Sequence, residues 1–183
     1  MKQLALAWAL MGALALAVPL AQAGATIETP EAREAAARAA DEARVDMRET
    51  FDKSSLKVGE HLWKKGRDRS LVTQLVISLA GQMAYAYNDD ELVGVSTISS
   101  GKEATPTPTG IFPILEKKRH HRSIKYDNAP MPWMQRLDQY GIAMHGGHLP
   151  GYPASHGCVR LPHAFAAKLF AATRVGTEVL IGA

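Results

Sequence analysis

Cys158 is the single cysteine among 183 residues, and it lies in the run Ser155-His156-Gly157-Cys158-Val159-Arg160-Leu161. A histidine-glycine pair, His145-Gly146, stands thirteen residues upstream. A lone thiol has no disulfide partner in its own chain. Its chemistry is that of a nucleophile, provided a neighbour lowers its pKa or takes its proton. Two histidines are placed for that. His156 is two residues away, but nearness in sequence does not give hydrogen-bonding geometry. His145, delivered by a separate segment, can face the sulfur directly and is the favoured base. His156 then supports it by orienting substrate or tuning charge. Gly157 lets a substrate carbonyl approach the backbone, and the amides of Gly157 and Cys158 are candidate oxyanion donors. Arg160 suits a bidentate grip on a carboxylate. A helix starting near Pro162 places partial positive charge close to the thiolate. This is equipment for acyl transfer.

Other readings use the same residues. A lone cysteine is often a small buried hydrophobe, but the flanking motif argues for a nucleophile. His145, His148, His156, Cys158 and His163 are zinc-ligand types. No C-x-x-C or H-E-x-x-H spacing joins them, so neither a metal nor a cofactor is expected.

These residues need positioning elements. Residues 1–23 read as a secretory signal peptide. Lys2 supplies the positive start, Leu4 to Val18 the apolar run, and Ala21-Gln22-Ala23 the small-x-small cleavage site. Export places the chain in the periplasm, where a lone thiol is a liability unless it acts. No membrane span is expected after cleavage. The remaining chain carries 20 Lys+Arg against 18 Asp+Glu. That is too even a balance to point to nucleic acid.

Residues 24–69 are expected to form a helical stalk and linker. Thr29-Pro30 with Glu31 and Glu34 is a helix start, and the helix runs to about Phe51. Its apolar positions are mostly alanine, so it is expected to be solvated, outside the core. Residues 70–183 read as a mostly-β domain. Leu71 to Leu79 is strand-like. Met83, Tyr85 and Tyr87 alternate with small residues, and Asn88-Asp89-Asp90 turns into a returning strand, Leu92 to Ile98. Thr105 to Gly110 is a loop, and Pro113 marks Ile111 to Leu115 as an edge or bulged strand. Lys117 to Arg122 is a basic run. Tyr140 to His145 is a strand that ends at the base. Pro162 to about Ala172 is a helix, and Thr177 to Ile181 a last strand.

The Ser-His-Gly-Cys-Val-Arg-Leu run, the strand ending in His-Gly and the Thr107-Pro108-Thr109-Gly110 turn resemble the L,D-transpeptidase catalytic domain of bacterial cell-wall enzymes. The likeness covers about Leu71 to Gly182. It implies a β-sandwich with the active site at one end and one internal helix after the cysteine. By resemblance, Cys158 is the nucleophile and His145 the base. Gly146 supplies a carbonyl that orients the base. Ser155, His156, Gly157 and Arg160 complete the motif, with Ser155, Gly146 and Arg160 on the substrate side. Many members have Thr or Ser where this chain has Gly147, followed by His148. The implied substrates are peptidoglycan stem peptides, cleaved through a Cys158 thioester. The acyl acceptor is a stem peptide, an outer-membrane protein, a D-amino acid or water. The rivals are a cysteine hydrolase on the same scaffold and a zinc- or wall-binding protein without covalent catalysis.

Overall fold

The computed structural model describes residues 25–67 and 71–183. The export signal expected over residues 1–23 lies outside the described residues. The first long sheet is built around a meander of β-branched and aromatic residues. Strand β1 spans His61–Trp63, β2 Gln74–Ser78, β3 Met83–Asn88 and β4 Glu91–Thr97. Strands β2, β3 and β4 pair antiparallel in succession. Asp89 makes the β3–β4 turn at φ 53, a conformation that aspartate tolerates better than most residues. Strand β5 (Gly110–Pro113) and the final strand β10 (Glu178–Gly182) complete this sheet, in the order β1-β4-β3-β2-β10-β5. The Pro113 strand is thus at an edge, as its missing N–H requires.

A second sheet of four short strands follows the order β6-β7-β8-β9. These are β6 (Glu116–Lys118), β7 (Met134–Arg136), β8 (Ala143–Gly146) and β9 (Val159–Leu161). The pairing of β8 with β9 is parallel. The main core lies between the sheets. Leu75, Ile77, Ala84, Ala86 and Phe112 meet Met144, Val159 and Leu161, with Phe165 and Leu169 of helix α2 (His163–Ala172). Lys117 opens the basic run, but it is not a solvated residue. Its ammonium donates to the Phe170 and Thr173 carbonyls at 2.6 and 2.5 Å, satisfying the last carbonyls of α2.

The stalk expectation is corrected. Helix α1 spans Pro30–Phe51, with the Thr29 hydroxyl accepting from the Ala32 N–H at 3.2 Å. Ala32, Ala36, Ala40, Ala43 and Met47 are all buried along one face. Ala36, Ala40, Ala43 and Met47 pack on the outer face of the long sheet, against Val76, Met83, Tyr85, Tyr87, Val95 and Leu180. The alanines that weaken the amphipathic pattern are what allow close approach. A Cβ placed on Gly182 would stand 2.5 Å from the Ala36 carbonyl oxygen. Helix and strand therefore touch through backbone, and each buried methyl contributes roughly 0.8 kcal/mol. The Tyr87 hydroxyl donates to Asp46 at 2.7 Å and pins the helix to the sheet. Upstream of the helix, Ile27 exchanges two backbone hydrogen bonds with Ile111 of β5. Strand β1 also joins the sheet, so residues within 24–69 are part of the domain. Among the described residues no helix is long and apolar enough to cross a membrane.

Candidate active site

The parallel β8–β9 pair builds the site. Its register sets Met144 beside Val159, His145 beside Arg160 and Gly146 beside Leu161. Met144, Val159 and Leu161 point into the core. Alternation then turns His145, Arg160 and Cys158 to the opposite face. Cys158 precedes the first paired residue, so it lies two positions along and one strand across from His145. That offset puts their Cα atoms about 8 Å apart, a span two side chains can close.

His145 is 8% exposed, and its Nδ1 lies 2.9 Å from the Gly146 carbonyl oxygen. A carbonyl only accepts, so Nδ1 carries the hydrogen and Nε2 keeps the lone pair. Gly146 thus orients the His145 ring from a buried position, away from the exposed side where the expected substrate contact would lie. The glycine is itself clamped. Its N–H donates to Pro132 at 2.8 Å, and a Cβ there would stand 3.0 Å from His163 Nδ1. Pro132 is presented by Trp133, whose φ of 59 is uncommon for an aromatic residue. The Arg119 guanidinium covers that indole at 4.8 Å. Gly147 has a matching reason. The Arg160 stem lies 3.3 to 3.4 Å from where its Cβ would be. A side chain at this position would therefore press on the Arg160 stem.

The cysteine loop is braced from below. Ser155 is 2% exposed. Its hydroxyl donates to the Cys158 carbonyl at 2.5 Å and accepts from the Gly157 N–H at 3.0 Å. Ser155 is therefore a staple within the motif, which corrects its placement on the substrate side. The same bond corrects the expected oxyanion pair, because the Gly157 amide is already used. Gly157 has φ 113, and a Cβ would meet Ile142 Cδ1 at 2.7 Å. Its carbonyl accepts from the Thr107 hydroxyl at 2.8 Å, and Thr107 also accepts from the Gly101 N–H. The Thr-Pro-Thr loop thus holds the Cys158 loop in place. His156 is exposed and stacks on Tyr126, with ring centroids 4.4 Å apart. That places its ring against the 119–131 segment and away from any simple role as a second base.

Burial acts on both His145 and Cys158. Burial pushes the His145 imidazole below its usual range; the Gly146 carbonyl opposes this, and Arg160, His163 and His121 add repulsion. Burial pushes the Cys158 thiol up, where it packs against Met131, Met134 and Ala143. The Ala143 amide and Arg160 oppose that rise, and Asp138 adds to it. Both shifts disfavour the charged forms, the imidazolium and the thiolate. The α2 N-terminus does not contribute as expected. Strand β9 intervenes and carries the chain roughly 10 Å beyond the sulfur before the helix begins. Among the described residues, no three of His, Cys, Asp and Glu are grouped so as to hold a metal ion. Asp138 and Tyr126 carry no motif of their own, while Thr107 belongs to the Thr-Pro-Thr-Gly turn and His163 to the set of zinc-ligand types.

The family model for the L,D-transpeptidase catalytic domain matches residues 73–181, more than half of the chain. The chain belongs to the L,D-transpeptidase family. Solved L,D-transpeptidases share the fold. A Xylanimonas cellulosilytica L,D-transpeptidase is 29% identical with a TM-score of 0.56, the match covering 61% of each chain. A Mycobacterium tuberculosis L,D-transpeptidase is 22% identical at TM-score 0.56, covering 59% of this chain and 56% of that one. An Enterococcus faecium L,D-transpeptidase mutant is 26% identical at 0.54, covering 61% and 50%. The matched region thus spans less than two thirds of each of these solved chains. Comparison with curated proteins gives no match. The L,D-transpeptidase domain here includes β8, β9 and the cysteine loop, all inside the matched residues.

Proposed function

We propose that this protein is an exported, periplasmic cysteine acyltransferase that cross-links or decorates peptidoglycan through its stem peptides. The observation that carries the reading is the orientation of His145 by Gly146 on the face shared with Cys158. Family membership supports the substrate class, and the pattern of residues 1–23 supports export.

The proposed chemistry starts from an uncharged thiol and imidazole, the forms that burial favours. His145 Nε2 takes the thiol proton as Cys158 sulfur attacks the carbonyl carbon of an L-centred stem residue. The Cys158 amide is the motif's candidate donor to the developing oxyanion, since Ser155 already holds the Gly157 amide. The carbon–nitrogen bond breaks, and the leaving D-amino acid takes its proton from His145. A thioester remains. An acceptor amine then loses a proton to His145 and attacks the thioester. The carbon–sulfur bond breaks, a new amide forms and the thiol is restored. Arg160 lies on the same face, and among the described residues no carboxylate forms an ion pair with it. Its guanidinium is available for a stem-peptide carboxylate.

The test uses a defined stem tetrapeptide as donor, with and without a second tetrapeptide, a D-amino acid or an outer-membrane protein as acceptor. The reading expects D-amino acid release matched by an equal amount of new amide product. Release without amide product assigns the protein to hydrolysis. Fractionation of cells producing the full chain checks the periplasmic location.

A further inference from the structure

Asp138 is a buried carboxylate, 6% exposed, that the transfer chemistry above does not use. It sits in the connection between β7 and β8. Its Oδ1 accepts from the Tyr140 N–H at 2.9 Å and from the Ile142 N–H at 2.8 Å. Between those two residues is Gly141, at φ 98. The Cys158 S–H donates to the Gly141 carbonyl oxygen at 3.6 Å. The Ile142 N–H and the Gly141 carbonyl belong to one peptide unit. That unit is planar and trans, so the two groups point in opposite directions. One peptide is therefore held by the carboxylate on its N–H side and by the thiol on its oxygen side. Hydrogen bonds in such a chain polarise one another, so a charge on the N–H side makes the oxygen a better acceptor. The next amide, that of Ala143, also reaches the sulfur.

We propose that Asp138 is a positioning residue for the nucleophile, acting through the Gly141–Ile142 peptide to hold Cys158 as an oriented thiol until His145 takes its proton. The inference rests on Cys158 being the nucleophile. The charged groups that act on the sulfur are Asp138 itself and Arg160 on β9, with His145 of β8 on the same face of the sheet. Arg136 on β7 binds the Asp138 carbonyl at 2.8 Å and stays in place whatever the side chain. Removing the carboxylate charge should make the thiolate easier to form. Removing the acceptor as well should also free the turn.

The experiment measures iodoacetamide alkylation of Cys158 against pH in the full chain, with circular dichroism and melting temperature alongside. Asp138→Asn keeps an oxygen acceptor and loses the charge. It should melt near the parent and alkylate about threefold faster or more on the acid side of the titration. Asp138→Ala should melt lower. If folded, it should acylate with imipenem at least tenfold more slowly than the parent, which Asp138→Asn should largely restore. A titration midpoint in Asp138→Asn equal to or above the parent's overturns the proposal. So does a folded Asp138→Ala with parent-like acylation. If the alanine variant does not fold, the asparagine variant decides alone. Alkylation needs no stem peptide, so failure here leaves the transpeptidase reading standing. Normal alkylation without peptide transfer counts against that reading only.

Discussion

The two faces of the long sheet are buried by opposite means. On one side α1 lays four alanines and Met47 against Val76, Tyr85 and Leu180. Contact is by small groups at close range, the Tyr87 hydroxyl donates across it to Asp46, and the helix ends are capped. On the other side, beyond the main core, the four-stranded sheet carries a half-buried thiol, a buried histidine, a glycine at φ 113 and a tryptophan at φ 59. Strained and incompletely satisfied groups persist only where surrounding structure holds them. Here Ser155, Thr107, Pro132 and Asp138 do the holding. The first face contributes stability and the second reactivity, so substitutions on the two should separate melting temperature from turnover.

The separation is sharpest at the base. His145→Ala should lower acyl transfer by roughly 100-fold or more, the usual scale for losing a general base. Its melting temperature should change little. Parent-like turnover in this variant would move the base to another histidine. Arg160→Lys should come next. It keeps the charge but loses the planar fork, with a loss of about 1.5–3 kcal/mol in thioester formation. Alkylation by a small neutral reagent should hardly change. An unaltered acylation rate would leave Arg160 as a packing residue over Gly147. Ala40→Leu tests the opposite face. Overpacking the helix–sheet contact should cost about 1–3 kcal/mol of stability, with acylation below the melting range unchanged. A variant that lost acylation while keeping its melting temperature would break the comparison.

The smallest effect is on stability against pH. The folded His145 pKa lies below its ordinary value. As pH falls from about 6.5 toward that lowered value, the unfolded chain binds a proton that the folded chain refuses. Stability is therefore present above this window and is lost as pH falls through it. Urea unfolding of the parent and of His145→Gln at several pH values isolates the contribution. The parent should show the steeper loss toward acid, and equal slopes would remove His145 as its source.

Much of this was legible in the residues. The period-2 run Met83, Tyr85, Tyr87 does share one face, and Thr29-Pro30 does start a helix. The cysteine motif and the His-Gly strand end pointed to the site, because each combines a reactive type with a local backbone need. Strands β1, β6, β7 and β9 were not legible, since three residues carry no period. The docking of α1 was hidden because alanine adds little to an amphipathic pattern, yet allows a backbone to approach. The roles of Ser155 and Gly157 were misplaced for a local reason. A serine hydroxyl two residues before an amide competes for that amide, and the motif alone does not say which partner wins. The Tyr126–His156 stack and the contact of Cys158 with the Gly141 carbonyl depend on approaches across the fold that spacing cannot report. The Asp138 turn is local, and polar loop residues alone did not mark it.

The central claim is that Cys158 forms a covalent acyl intermediate, with the His145–Gly146 pair accepting its proton. Intact mass spectrometry of the protein with a stem tetrapeptide, and separately with imipenem, tests it most directly. The account predicts one added acyl group on the parent, mapped to Cys158 by peptide digestion. It predicts slow formation in His145→Ala and none in Cys158→Ser, whose fold and melting temperature are retained. An adduct on Cys158→Ser, or full transfer activity in that variant, would contradict it.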